Sequence, residues 1–263
     1  MTNRNRQDVG TVSELIRGAI EGRLSRREIL RRAAALGVAA PMVAAMLKVS
    51  AMGVSAAPAG AELLIGCPYN LTGGLASIDN PARDGSMLAA KLLNAGAGVL
   101  GRPVKLVVDD GKTDLTANSN ITKKMIEEDK VVALVGLTDT DYVRAAGTVA
   151  QQAKIPFLDV GGTAPIIEAI GDYIFMVPFG DNVQAAAGAE FANEKGWKTC
   201  AVLFDKAMTY ATLLGKYFKD RYTDDELKGM VVKELEYQTG DTDFSSQMTD
   251  IKNLDPAPDF AYI

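Results

Sequence analysis

Histidine is absent from this 263-residue chain and cysteine occurs only twice, at Cys67 and Cys200. Without histidine there is no Ser-His-Asp or Cys-His machinery, and two cysteines cannot build an ordinary His- or Cys-rich zinc site. The sequence also has no G-x-x-x-x-G-K-[ST] and no G-x-S-x-G, so the usual P-loop and nucleophile-elbow signatures are missing. Each cysteine sits in an apolar run that reads as a strand, in different halves of the chain, which favours two buried free thiols over a disulfide.

Strongly apolar runs of about twenty residues are lacking too. The nearest approach is Ala33 to Ala57, rich in Ala, Val and Met but interrupted by Pro41 and Lys48. It follows Ser25-Arg26-Arg27-Glu28-Ile29-Leu30-Arg31-Arg32 and ends in Ala57-Pro58-Ala59. A charged n-region, a weakly apolar h-region and a small-residue exit read as an export signal over residues 1–59, with Arg26-Arg27 as a twin-arginine pair and cleavage expected after Ala59. Leu64-Ile65-Gly66-Cys67 imitates an acylation box but is detached from the apolar run, and reads as a strand.

Basic charge is scarce in the remainder. Of 28 Lys/Arg and 33 Asp/Glu, nine basic and four acidic residues fall in the first 59, so the rest carries a net charge of −10. An acidic body with no basic stripe argues against nucleic acid and anionic membrane surfaces.

What is present is regular alternation. Short β-branched runs at Leu63–Ile65, Val104–Val108, Val131–Val135 and Pro156–Leu158 alternate with helical periods near Ala82–Asn94, Leu115–Glu128 and Asp141–Gln152. That pattern predicts an α/β fold with a mostly parallel sheet covered by helices on both faces. Pro178 and Gly180 punctuate a crossover, after which a second βαβ series begins. It comprises helices at Asn182–Lys195, to Arg221, and at Phe244–Lys252, with strands at Ala201–Phe204, around Val231 and at Phe260–Ile263. The expected organisation is a first lobe over 60–178 and a second over 179–263. The second series stops inside an apolar run, so the second lobe is expected to be incomplete and the chain a fragment.

Ligands of open α/β sheets bind outside the carboxyl ends of strands. The candidate loops are therefore Pro68–Gly74, Gly136–Asp141, Gly161–Pro165 and Asp205–Tyr210. Each offers hydroxyls or bare backbone ahead of a helix, where free N–H groups favour an anion. The bland alternatives are that Thr140 caps a helix, Gly161-Gly162 serves a turn and Tyr210 is core. The acidic pairs Asp109-Asp110 and Asp139/Asp141 read as structural, at a strand end and a helix start.

These loops carry a resemblance. Leu71-Thr72-Gly73 with Asp84-Gly85, Asn94 to Arg102, Val107-Val108-Asp109-Asp110, Gly162-Thr163-Ala164-Pro165 and Gly240-Asp241-Thr242-Asp243-Phe244-Ser245 occur in an order and spacing that resembles type I periplasmic solute-binding proteins of the branched-chain amino acid (Leu/Ile/Val-binding) class. The resemblance implies a two-lobe Venus-flytrap fold, no catalysis, no cofactor, periplasmic location, and an ATP-binding-cassette permease in the inner membrane as partner. It implies an amino-acid-like solute whose carboxylate is held by Thr140 and by Gly161, Gly162 and Thr163, with Tyr210, or Thr209 if the loop has no extra residue, contributed by the second lobe. The family's acidic partner for the solute's ammonium would fall beyond Ile263. Asp139 and Asp141 replace a serine-rich run, and a carboxylate beside a bound carboxylate is unfavourable. Either the aspartates cap, or the solute is cationic, an amide or otherwise neutral. The alternative function is an amide or amino-acid sensor module regulating a partner protein.

Overall fold

The computed structural model describes residues 11–20, 23–38, 42–44, 46–47 and 60–263. Two parallel sheets form the body. The first contains β1 (Leu63–Tyr69), β2 (Val104–Asp110), β3 (Ala133–Gly136), β4 (Phe157–Asp159) and β5 (Ile174–Met176), in the spatial order β2-β1-β3-β4-β5. Its crossovers are α3 (Ala76–Ala95), α4 (Leu115–Glu127), α5 (Thr140–Ala153) and a 3₁₀ turn at Pro165–Ile170. The second sheet contains β6 (Thr199–Asp205), β7 (Met230–Tyr237) and β8 (Phe260–Tyr262) in the order β7-β6-β8, with helices α6 (Asp181–Glu194), α7 (Thr209–Tyr222) and α8 (Ser245–Lys252). Every strand pairing is parallel. Strand order reverses about β1 and again about β6, which places a crevice at the carboxyl end of each sheet.

Each sheet has its own core. Met125, Leu134, Leu137, Val143, Phe157 and Ile167 fill the first, and Ala185, Ala189, Cys200, Val202, Phe218 and Tyr222 fill the second. The second core is rich in rings: Phe218 stacks on Tyr262 at 3.7 Å between centroids, and Trp197 stacks on Phe260 at 5.0 Å. Both cysteines are free and buried, one in each sheet.

Three elements depart from the sequence expectation. Helix α3 starts at Ala76 rather than near Ala82, with Pro81 inside it. The lost N–H is tolerated because the flanking residues are anchored: the Asp79 carboxylate accepts the Asn70 N–H at 2.5 Å, and the Asn80 amide donates to the Leu71 and Ala76 carbonyls. Strand β1 runs four residues past Ile65, through Pro68. Its ladder with β3 covers only Ile65 and Gly66, so Pro68 interrupts no bond on that side. Strand β5 was not expected; its three residues sit just ahead of Val177-Pro178 and read as part of the crossover.

At the N-terminal end, α1 (Val12–Ile20) lies against α3, and α2 (Arg26–Ala35) packs against α1. Leu15, Ile16, Ala19, Ile29 and Ala33 pack with Leu88 of α3, and the Ser13 hydroxyl donates to the buried Asp84. Ser25 caps α2 by accepting the Glu28 N–H, which leaves Arg26 and Arg27 exposed in its first turn. No helix among the described residues is long and apolar enough to cross a membrane. The expected cleavage point after Ala59 lies outside the described residues.

Candidate functional site

A cavity of about 530 Å³ lies between the carboxyl edges of the two sheets. The first lobe lines it with Gly74, Leu75, Thr113, Leu115, Asp139, Asp141 and Tyr142, and the second with Ala207, Met208, Thr209 and Thr239. These residues follow β1, β2 and β3 on one side and β6 and β7 on the other, as the switch-point rule requires. The volume falls in the range of small-molecule sites, about 300–1,000 Å³.

The first-lobe wall is held by a dense polar network. Asn70 accepts the Thr113 N–H and the Asn118 side-chain amide, both at 2.8 Å, tying the loop after β1 to the turn after β2. Asp110 accepts the N–H groups of Leu71, Thr72 and Lys112 and the Thr72 hydroxyl, which holds its carboxyl below the usual range against the cost of burial. Asp109 pairs with Lys124 at 3.0 Å. Both aspartates are thus occupied in scaffolding, and no group of three or more His, Cys, Asp or Glu that could hold a metal occurs among the described residues.

The loop after β3 turns through Leu137, buried and at φ 57°, a region costly for a bulky residue. This turn carries the Thr138 hydroxyl onto the Asp79 carboxylate. Asp139 then caps α5, accepting the Asp141 N–H at 3.0 Å. Burial raises the pKa of both Asp79 and Asp139; hydrogen bonds oppose the rise in each, while neighbouring carboxylates add to it at Asp139.

Thr140 does not cap α5. It is the first residue of the helix, 1% exposed, and its hydroxyl is buried with no hydrogen-bond partner. The N–H groups of Gly161 and Gly162 both donate to Asp159, at 2.9 and 2.7 Å. Burial pushes the Asp159 carboxyl up to about 7 despite these bonds, with Asp139 adding to the shift. Thr163 accepts the Asp181 N–H at 2.7 Å. The Asp181 carboxyl is buried and raised by desolvation, with the Thr163 hydroxyl opposing the rise although neither carboxylate oxygen has a hydrogen bond of normal geometry.

Tyr210 is set apart from these groups. Its hydroxyl accepts from the Gln184 amide at 3.2 Å, and its ring lines a separate cavity of about 480 Å³ over the second sheet, with Gly188, Leu214, Tyr237 and Tyr262. Thr209, its neighbour, is the residue that faces the interlobe cavity. Of the residues singled out from sequence, Asp139 lines that cavity, whereas Thr140, Gly161, Gly162, Thr163 and Tyr210 are not among its lining. Sequence reasoning missed Asp79 and Asp159 as the carboxylates beneath the loops. Their positions, one in a helix's first turn and one at a strand end, were the available signal.

Two α/β lobes thus turn the carboxyl edges of their parallel sheets toward one cavity. The chain belongs to the periplasmic binding protein family, whose sequence profile matches residues 62–257. It is 29% identical over 208 residues to an amino acid binding protein of Pseudomonas aeruginosa, covering 77% of this chain and 54% of that protein. The leucine binding protein LivK of Thermotoga maritima matches with a TM-score of 0.70 at 29% identity, over 76% of this chain and 55% of that one. The branched-chain amino acid transporter substrate binding protein LivJ of Streptococcus pneumoniae, in complex with isoleucine, matches with a TM-score of 0.68 at 27% identity, over 73% and 54%. The chain spans about half the length of the relatives it matches.

Proposed function

We propose that this protein is the extracytoplasmic solute receptor of an ATP-binding-cassette importer for branched-chain or other amino acids or their amides, and that it catalyses nothing. The observation that carries this reading is the cavity of about 530 Å³ whose walls come from the strand ends of both lobes. Leu75, Leu115 and Met208 offer an apolar wall for an aliphatic side chain, while Asp139 and Asp141 present carboxylates that favour an ammonium or amide end. The isoleucine carried by LivJ supports a solute of this kind.

In this proposal residues 1–59 are the export signal, with the exposed pair Arg26-Arg27 directing the twin-arginine route, and the lobes divide after Pro178. The membrane permease is the partner. Thr140 and the 161–163 loop act from behind the lining, and the unpartnered Thr140 hydroxyl turns to the solute when the cleft closes by hinge motion. Calorimetry of the full-length protein against amino acids, amides, polyamines and aromatic acids tests the reading. A micromolar or tighter response to one class is expected, and silence across the panel would sink it.

A further inference from the structure

Helix α7 begins at Thr209, and no side chain of its own segment caps it: Met208 holds the cap position. The first turn of a helix leaves N–H groups without partners and carries partial positive charge. Here the missing cap comes from the other lobe. Asp141 Oδ2 accepts the Thr209 N–H at 3.1 Å, and Oδ1 accepts the Thr209 hydroxyl at 2.5 Å. Asp141 is free to do so because Asp139 already serves the first turn of α5. Arg144, 3.7 Å from Asp141 Oδ1, faces the same carboxylate from one turn further along α5. Asp141 and Thr209 both line the interlobe cavity, so the pair spans the cleft at the place a solute must pass.

We propose that Asp141 is a closing residue of the receptor: it clasps the lobes by capping α7 across the cleft, and in doing so takes for the protein the anion position at that helix end. A carboxylate and a helix N-terminus form a charge-assisted contact, stronger than a neutral one. With that end already filled, a solute carboxylate gains nothing there, and selectivity shifts toward groups without negative charge. The clasp needs only the two lobes; its effect on selectivity rests on the receptor reading.

The two parts are tested separately. In the full-length chain, spin labels on cysteines introduced at the exposed positions Glu127 and Asp220 report the distance between lobes without any solute. Asp141→Ala should move the distribution to longer distances, Thr209→Val should move it part of the way, and Thr209→Ser should leave it as in the parent. Far-ultraviolet circular dichroism confirms that each variant is folded. A parent-like distribution in folded Asp141→Ala overturns the clasp. Binding is then compared between isovalerate and isovaleramide: Asp141→Ala should gain at least about tenfold for the carboxylate relative to the amide, the size of one such contact. Longer distances with an unchanged ratio overturn the selectivity half. Longer distances with no binding of any solute uphold the clasp and count against the receptor reading.

Discussion

The carboxylate of Asp159 accepts the backbone N–H of Gly162 at 2.7 Å, under the loop that sequence reasoning gave to the solute. The same oxygen takes the Gly161 N–H, while the other is buried without a partner. The two N–H groups expected to hold a ligand carboxylate are therefore held by one belonging to the protein. Solute contact with this loop would have to come from elsewhere, such as the Thr163 side chain, or follow a rearrangement.

This arrangement has a pH signature. The folded-state pKa of Asp159 is raised from 3.8 to about 7, so between these values the native state binds more protons than the unfolded chain. Stability from this group is then fully present below about pH 4, falls as pH rises through 7, and levels off above, a span of roughly 4 kcal/mol at most. Asp159→Asn keeps an acceptor for the glycine N–H groups and removes the titration. Urea unfolding from pH 4.5 to 7.5 should show the parent losing stability relative to Asp159→Asn as pH rises; parallel curves would refute it.

Gly136 ends β3 directly beside Pro68 of β1. A Cβ there would lie 2.2 Å from the Pro68 carbonyl oxygen, a backbone atom that cannot swing aside. Gly136→Ala should therefore force the strands apart at the root of the Leu137–Asp139 loop and cost about 3 kcal/mol or more, the upper end for overpacking. Chemical denaturation measures it, and a midpoint equal to the parent's would show that the strands yield easily.

The fold was more legible than the site, for a physical reason. Strands at Val104–Val108 and Ala201–Phe204 declare themselves by β-branched and apolar runs, and the helices between them by period. The strand-end rule then selects Pro68–Gly74, Gly136–Asp141 and Asp205–Tyr210, which contribute residues to the interlobe cavity, but also Gly161–Pro165, which contributes none, and it passes over Thr113, Leu115 and Thr239, which do. Side-chain partnerships are different, because they depend on atoms brought together over long separations. Nothing near Asp141 announces that it reaches Thr209, 68 residues away, and nothing near Asp79 announces Thr138, 59 residues away. The expectation that the aspartates cap was half complete: Asp139 caps its own helix, and Asp141 caps a helix of the other lobe.

The Thr140 hydroxyl is buried and unpartnered, which costs about 1–3 kcal/mol relative to a satisfied group. Thr140→Val replaces it with a methyl of similar shape. The solute-free protein should be as stable as the parent or slightly more so, while affinity for the solute should fall by roughly 1–3 kcal/mol if the hydroxyl is a solute partner. Thermal unfolding and calorimetry give the two numbers. A loss of stability with unchanged affinity would make Thr140 a core residue and nothing more.

Cys67 and Cys200 are both 0% exposed, and burial pushes each thiol up to about 12. The thiolate is the reacting species, so both should resist alkylation at pH 8 while the lobes stay folded. They lie in separate sheets, Cys67 in β1 of the first and Cys200 in β6 within the core of the second, so each reports on its own lobe. Iodoacetamide labelling along a urea titration, read by peptide mass, should therefore show no modification in buffer and two labelling transitions that report the lobes separately. Rapid labelling of either cysteine in buffer would show that its sheet opens in the native state, and two coincident transitions would show that the lobes unfold as one cooperative unit.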